Sequence, residues 1–192
     1  QFVKFTGTPS VGNYINIIME GTEAAQGSIY GATDEVKAMF TDGVEATIYG
    51  YFCSISSGKY INVVVVSVDE APAIGGGATN DYTSVLGTAV LNDVVEVKGY
   101  ISAVSTQGPI LTDNTGSILL YKYTDLAIGD EVTVNGTILA YNCGYQFDYS
   151  KGGVTVEKTG TTTVTYPAEV LDITGAYADE LLTARVENEY AY

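Results

Sequence analysis

Between Asp93 and Val156 apolar and polar residues alternate with a period of two. Val95, Val97 and Ile101 mark a first run, and turns follow at Gln107-Gly108-Pro109 and Asp113-Asn114-Thr115-Gly116. Ile110-Leu111 lies between these turns, and an apolar and aromatic stretch runs from Ile118 to Tyr121. Gly129-Asp130 then opens a second long run through Val132, Val134 and Ile138. Alternation bounded by Gly, Asn and Asp is the signature of half-buried strands. Five such strands joined by tight turns predict a small closed or nearly closed barrel.

The same order occurs earlier in the chain. Val3-Lys4-Phe5-Thr6-Gly7 parallels Val95-Glu96-Val97-Lys98-Gly99, and Gly27-Ser28-Ile29-Tyr30 parallels Gly116-Ser117-Ile118-Leu119. The run from Asp42 to Gly50 parallels Gly129 to Gly136, and Ser57-Gly58 parallels Cys143-Gly144. Such anchors at nearly constant spacing predict an internal repeat. The expected organisation is a first barrel over 1–70, a connection over 71–92, a second barrel over 93–160 and a C-terminal extension over 161–192. Thr33 to Phe40 predicts a short helix in the first copy, with Thr33 as N-cap and Val36, Met39 and Phe40 on one face. The second copy has only a turn there, Tyr123 to Ile128. Tyr60 to Val68 is an almost unbroken β-branched run and predicts a strand buried on both faces. Gly75-Gly76-Gly77 reads as loop. In the extension, Thr162 to Tyr166 is strand-like up to Pro167, Ala178 to Val186 is helical, and Glu187 to Tyr192 begins a new alternating strand.

At Val97, Gly99, Ile101 and Val104, at the Asp113–Gly116 turn, and at Gly129, Asp130, Val132, Val134 and Gly136, the second copy resembles the OB-fold barrels of surface and secreted proteins of Bacteroidota. The resemblance covers roughly a third of the chain and speaks for fold more than for activity, because OB barrels host many functions. It implies an all-β protein with one or two short helices: two tandem OB-like five-stranded barrels plus a partial C-terminal repeat. It also implies a helix plugging the first barrel between strands three and four, and that a Tyr-rich strand such as Glu187–Tyr192 starts a next barrel.

Composition narrows the function. The chain has 192 residues, 46% hydrophobic and only 16% charged, with 22 Gly and 16 Tyr, which is the profile of an ordered β-rich protein. Its net charge of −15 repels phosphate backbones and anionic membranes. No run of about 20 apolar residues is present to span a bilayer. The chain opens with no charged and apolar leader, so any signal peptide is expected to be already absent. Low Lys, few Met and many Tyr and Thr fit an extracellular or cell-surface protein. There is no His, which removes Ser–His–Asp and Cys–His nucleophile pairs and His metal ligands. No enzyme activity and no metal site are expected. Calcium between acidic loops is the one cofactor the acidic composition allows, with no residue singled out, because Asp113-Asn114-Thr115-Gly116 lacks EF-hand spacing.

Two sets of residues carry the functional expectations. Tyr14 and Tyr30 in the first barrel, and Tyr121 and Tyr123 in the second, lie where OB barrels stack ligands on strands two and three. Nucleic acid is disfavoured, since only Lys122 lies near the second pair, whereas sugar rings need no positive field. Phe2, Val3 and Phe5 at one end, and Tyr190 and Tyr192 at the other, can pair with a neighbouring molecule by strand addition and build a filament. The alternative is that both ends pack on their own chain, or that the end belongs to a cut repeat array. Cys53 is expected in the core, and Cys143 in an exposed turn as the more reactive thiol, with a Cys53–Cys143 bridge left open. The leading expectation is a non-catalytic extracellular structural or adhesive module whose partners are itself or other surface proteins. The second is a glycan-binding module.

Overall fold

The computed structural model describes residues 1–75 and 81–184. Strands β1 (Phe2–Val11), β2 (Ile15–Ile18), β3 (Gln26–Ile29), β4 (Ala46–Ser56) and β5 (Tyr60–Val68) pair in the order β1-β2-β3-β5-β4. β4 then returns to β1, which closes the barrel. β3 and β5 run parallel and the other pairs antiparallel, the connectivity of an OB barrel. Alternation places Val3, Phe5, Ile15, Ile17, Ile48, Ile61 and Val63 in one core. Helix α1 (Asp34–Lys37) stands between β3 and β4, and the Val36 N–H donates to the Thr33 hydroxyl at 3.3 Å, as the capping signal predicts. Phe40 is buried and Val36 packs on the core, but Met39 faces solvent.

The second barrel contains β6 (Val94–Ala103), β7 (Ile110–Thr112), β8 (Ser117–Tyr121), β9 (Asp130–Thr137), β10 (Leu139–Tyr141) and β11 (Gly144–Asp148). β6 pairs with β7 and β9, β7 with β8, β8 in parallel with β11, and β11 with β10. Only Ile138 separates β9 from β10, so together they are the fourth strand of the same order, bent once. A further strand, β12 (Thr155–Thr161), adds to the free side of β9. The two copies match at their first and fourth strands. Phe5 pairs with Ile48 and Val97 with Val134, and all four are buried. Gly7 and Gly99 occupy the same place in their first strands. A Cβ at Gly7 would lie 2.5 Å from the Ile18 carbonyl oxygen, and one at Gly99 would lie 2.2 Å from that of Thr112. Strand two crosses too close for any side chain at either position.

The connection and the C-terminal extension are packed segments. Asp113 is buried, and one carboxylate oxygen accepts N–H bonds from Thr115 and Gly116 of its own turn. The other accepts from the N–H groups of Val85 and Leu86, at 2.8 and 3.0 Å, and so ties the connection onto the second barrel. Charge-assisted bonds of this kind are about twice as strong as neutral ones. The helix and the short strand of the extension return to the first barrel, and the strand expected over Glu187–Tyr192 lies outside the described residues. Strand β13 (Leu171–Asp172) pairs in parallel with Val3 and Lys4, and helix α2 (Ala176–Ala184) puts Ala178 and Leu181 into the first core. The Asp179 carboxylate accepts the backbone N–H groups of Glu23, Ala24 and Ala25 at 2.6–3.0 Å.

The barrels meet through an apolar cluster. Phe2, Tyr51, Cys53 and Val64 of the first pack against Ala103, Ile110 and Leu119 of the second. This explains the double burial expected of β5: Ile61, Val63 and Val65 face their own core, and Val64 faces the neighbour. Tyr166 stacks on Phe2, with ring centroids 5.7 Å apart, and its hydroxyl donates to the Ser102 carbonyl at 3.0 Å.

Two expectations need correction. Phe2, Val3 and Phe5, read as an assembly strand, lie inside this chain's own sheet: β4 takes one edge, and β2 and β13 take the other. Tyr190 and Tyr192 lie outside the described residues. Cys143 is in a turn, but it is buried rather than exposed. Asn142 and Cys143 form a two-residue hairpin loop with φ of 46° and 69°, the backbone of a tight type I′ turn, and the Cys143 side chain joins the first barrel's core cluster. Cys53 is buried as expected, burial pushes its thiol up to about 12, and neither cysteine is in a disulfide.

Candidate functional site

β2 and β3 each turn one set of residues into the core and the other outward. In the first barrel the outward set is mostly polar, with Ile18 as its apolar member. Asn16 and Ser28 are register partners on that face, and Tyr30 follows at the end of β3. The loop before β2 adds Asn13 and Tyr14, and the β4–β5 hairpin adds Ser56, Tyr60 and Asn62. Asn62 is 5% exposed, and its amide donates to the hydroxyls of Ser54 and Ser56 at 2.9 and 3.1 Å, so its position is fixed. Across the gap the second barrel contributes Thr106, Gln107 and Tyr141. The result is a cleft of about 700 Å³ between the barrels, inside the range of about 300–1,000 Å³ that small-molecule sites occupy.

Its chemistry is that of hydroxyls, amides and aromatic faces. Tyr14 is 79% exposed, which leaves its ring open to a ligand. Tyr30 is half-buried, and burial, with Cys53, Tyr141 and Tyr121 nearby, holds its hydroxyl proton well above the ordinary range. It is therefore a neutral donor at any physiological pH. Among the described lining residues there is no carboxylate, although the chain carries 23 acidic residues. The one charged group is Lys37, whose ammonium lies 3.3 Å from Asp34.

Of the four tyrosines expected to bind, the structure brings Tyr14 and Tyr30 into the cleft. Tyr121 packs on the inter-barrel cluster, with the Lys122 ammonium 5.0 Å from its ring centre. Tyr123 lies on the second core and meets Tyr149 edge-on at 4.9 Å. Asn16, Tyr60, Asn62, Gln107 and Tyr141 were not expected. The signal for Tyr60 and Tyr141 was present: the parallel between Ser57-Gly58 and Cys143-Gly144 marks the hairpins that carry them. Among the described residues no three Asp, Glu, His or Cys side chains gather as metal ligands, and Asp113 spends its oxygens on backbone N–H groups. No helix among the described residues is long and apolar enough to cross a membrane. No family model matches this chain, and comparison with curated proteins and with solved structures finds no significant match.

Proposed function

We propose that this chain is a non-catalytic, extracellular or cell-surface binding module whose first barrel holds a neutral glycan. The observation that carries this reading is the lining of the cleft: tyrosine rings beside fixed amides and hydroxyls, on the face and loops with which OB barrels take up oligosaccharides. Apolar faces of sugar rings stack on aromatics, and their hydroxyls pair with amide groups. Glycoside cleavage uses a pair of carboxylates flanking the bond, and the described lining supplies none, so the cleft is suited to holding a sugar. The −15 charge favours a neutral ligand over a nucleic acid. An adhesive role at a surface follows from holding a glycan there.

The chain has no Trp, so its emission comes from its 16 tyrosines, Tyr14, Tyr30, Tyr60 and Tyr141 of the cleft among them. Cellohexaose, xylohexaose, maltohexaose and mannohexaose are titrated into the full chain, followed by calorimetry of any that respond. At least one is expected to bind, and Tyr14→Ala is expected to abolish binding while leaving the urea midpoint unchanged. A flat response across a broad glycan panel rejects the reading.

A further inference from the structure

The cleft has walls from both barrels, and the way the second wall is held deserves a functional explanation. Gln107 lies in the loop of the second barrel that corresponds to the loop before β2, and Tyr141 ends the strand that leads into the hairpin corresponding to that of β4 and β5. Each sits one residue from a backbone hydrogen bond that crosses between barrels. The Thr106 N–H donates to the Gly31 carbonyl at 2.8 Å, and the Ile55 N–H donates to the Asn142 carbonyl at 2.7 Å. Gln107 is oriented further by Lys122, whose N–H donates to the Gln107 carbonyl at 2.8 Å and whose ammonium donates to its side-chain oxygen at 3.2 Å. That arrangement commits the amide oxygen and leaves the amide N–H₂ to donate. Tyr141 is 47% exposed at the end of β10.

Resting on the carbohydrate reading above, we infer that the binding site is shared: an oligosaccharide of several rings runs from Tyr14 and Tyr60 on the first barrel to Gln107 and Tyr141 on the second. The second barrel is then a selector for chain length. A disaccharide fills only the first wall. A longer chain reaches the second wall, whose groups are already anchored, so little ordering cost opposes the added contacts.

The test uses the full chain with a hexaose that binds and the matching disaccharide. The hexaose is expected to bind at least about tenfold more tightly. Gln107→Ala and Tyr141→Ala are each expected to bring it down to the disaccharide level, with disaccharide affinity unchanged. Gln107→Ala removes no buried apolar group, so it carries the test even if Tyr141→Ala loses stability. If both variants keep full hexaose affinity while Tyr14→Ala loses it, the shared site is wrong and the carbohydrate reading stands. Equal affinity for disaccharide and hexaose in the unmodified chain also overturns the shared site. If no saccharide binds the unmodified chain, both inferences fall.

Discussion

The two barrels have one connectivity and use the same face in opposite ways. On the first, the outward residues of strands two and three include Asn16 and Ser28, with Tyr30 just after strand three, and the face opens onto a cleft. On the second, the outward residues include Ile110 and Leu119, register partners buried against Phe2, Tyr51 and Val64 of the first barrel. A chain of hydroxyls lies beside them: Ser102 to Thr112 at 2.7 Å and Thr112 to Ser117 at 2.9 Å. The repeated fold thus carries two equivalent faces, and the outward residues decide which one stays open and which one is buried between the barrels. Gluing the second face has a consequence for the first, because it brings the second barrel's loops up to the open site.

The largest expected effect breaks the glue. Leu119→Asp puts an unpaired charge into the inter-barrel cluster and should cost about 3–5 kcal/mol by urea unfolding. Ser28→Asp, on the open face of the other copy, should cost less than about 1 kcal/mol. Equal costs would mean that the two faces do not differ in burial as described.

A second pair tests what the copies share. Gly7→Ala and Gly99→Ala each push a methyl into the backbone of strand two, and each should cost about 1–3 kcal/mol. A loss at only one of the two positions would show that the crossing is not common to both barrels.

The smallest effect concerns helix α2 of the extension, which packs on the first barrel. Three backbone N–H donors hold the Asp179 carboxyl below the usual carboxylate range. The folded state therefore binds its proton more weakly than the unfolded state. The contribution is fully present above the ordinary carboxyl pKa of about 4 and is lost as pH falls through the lower folded value. Asp179→Asn should lower the melting temperature at neutral pH, and the gap to the unmodified chain should close in acid. A gap that persists unchanged into strong acid contradicts this role.

Much of the fold was legible because burial is periodic. Val97 with Val134, and Phe5 with Ile48, announce paired strands, and repetition of the pattern announces two barrels. The run Ile61 to Val66 showed that β5 needed cover on both faces, but not that a second copy of the same barrel supplied it. Where the C-terminal extension packs was not legible along the chain. Its fate depends on long-range partners: Leu171 on Val3, and Asp179 on the loop from Glu23 to Ala25. The same limit explains Cys143, since local turn chemistry predicts exposure and only the neighbouring barrel buries it. Of the cleft, Tyr14 and Tyr30 were legible. The rest depends on the docking angle between barrels, which periodicity along one chain does not encode.

The most direct measurement is amide chemical-shift mapping by NMR on the full chain with a binding hexaose. The expected result is shifts concentrated at Tyr14, Asn16, Ser28, Tyr30, Tyr60 and Asn62, extending to Gln107 and Tyr141, with Ile110 and Leu119 unmoved. Shifts centred instead on Tyr121, Tyr123 and Tyr149 would place the ligand on the second barrel and contradict the division of labour between the two faces.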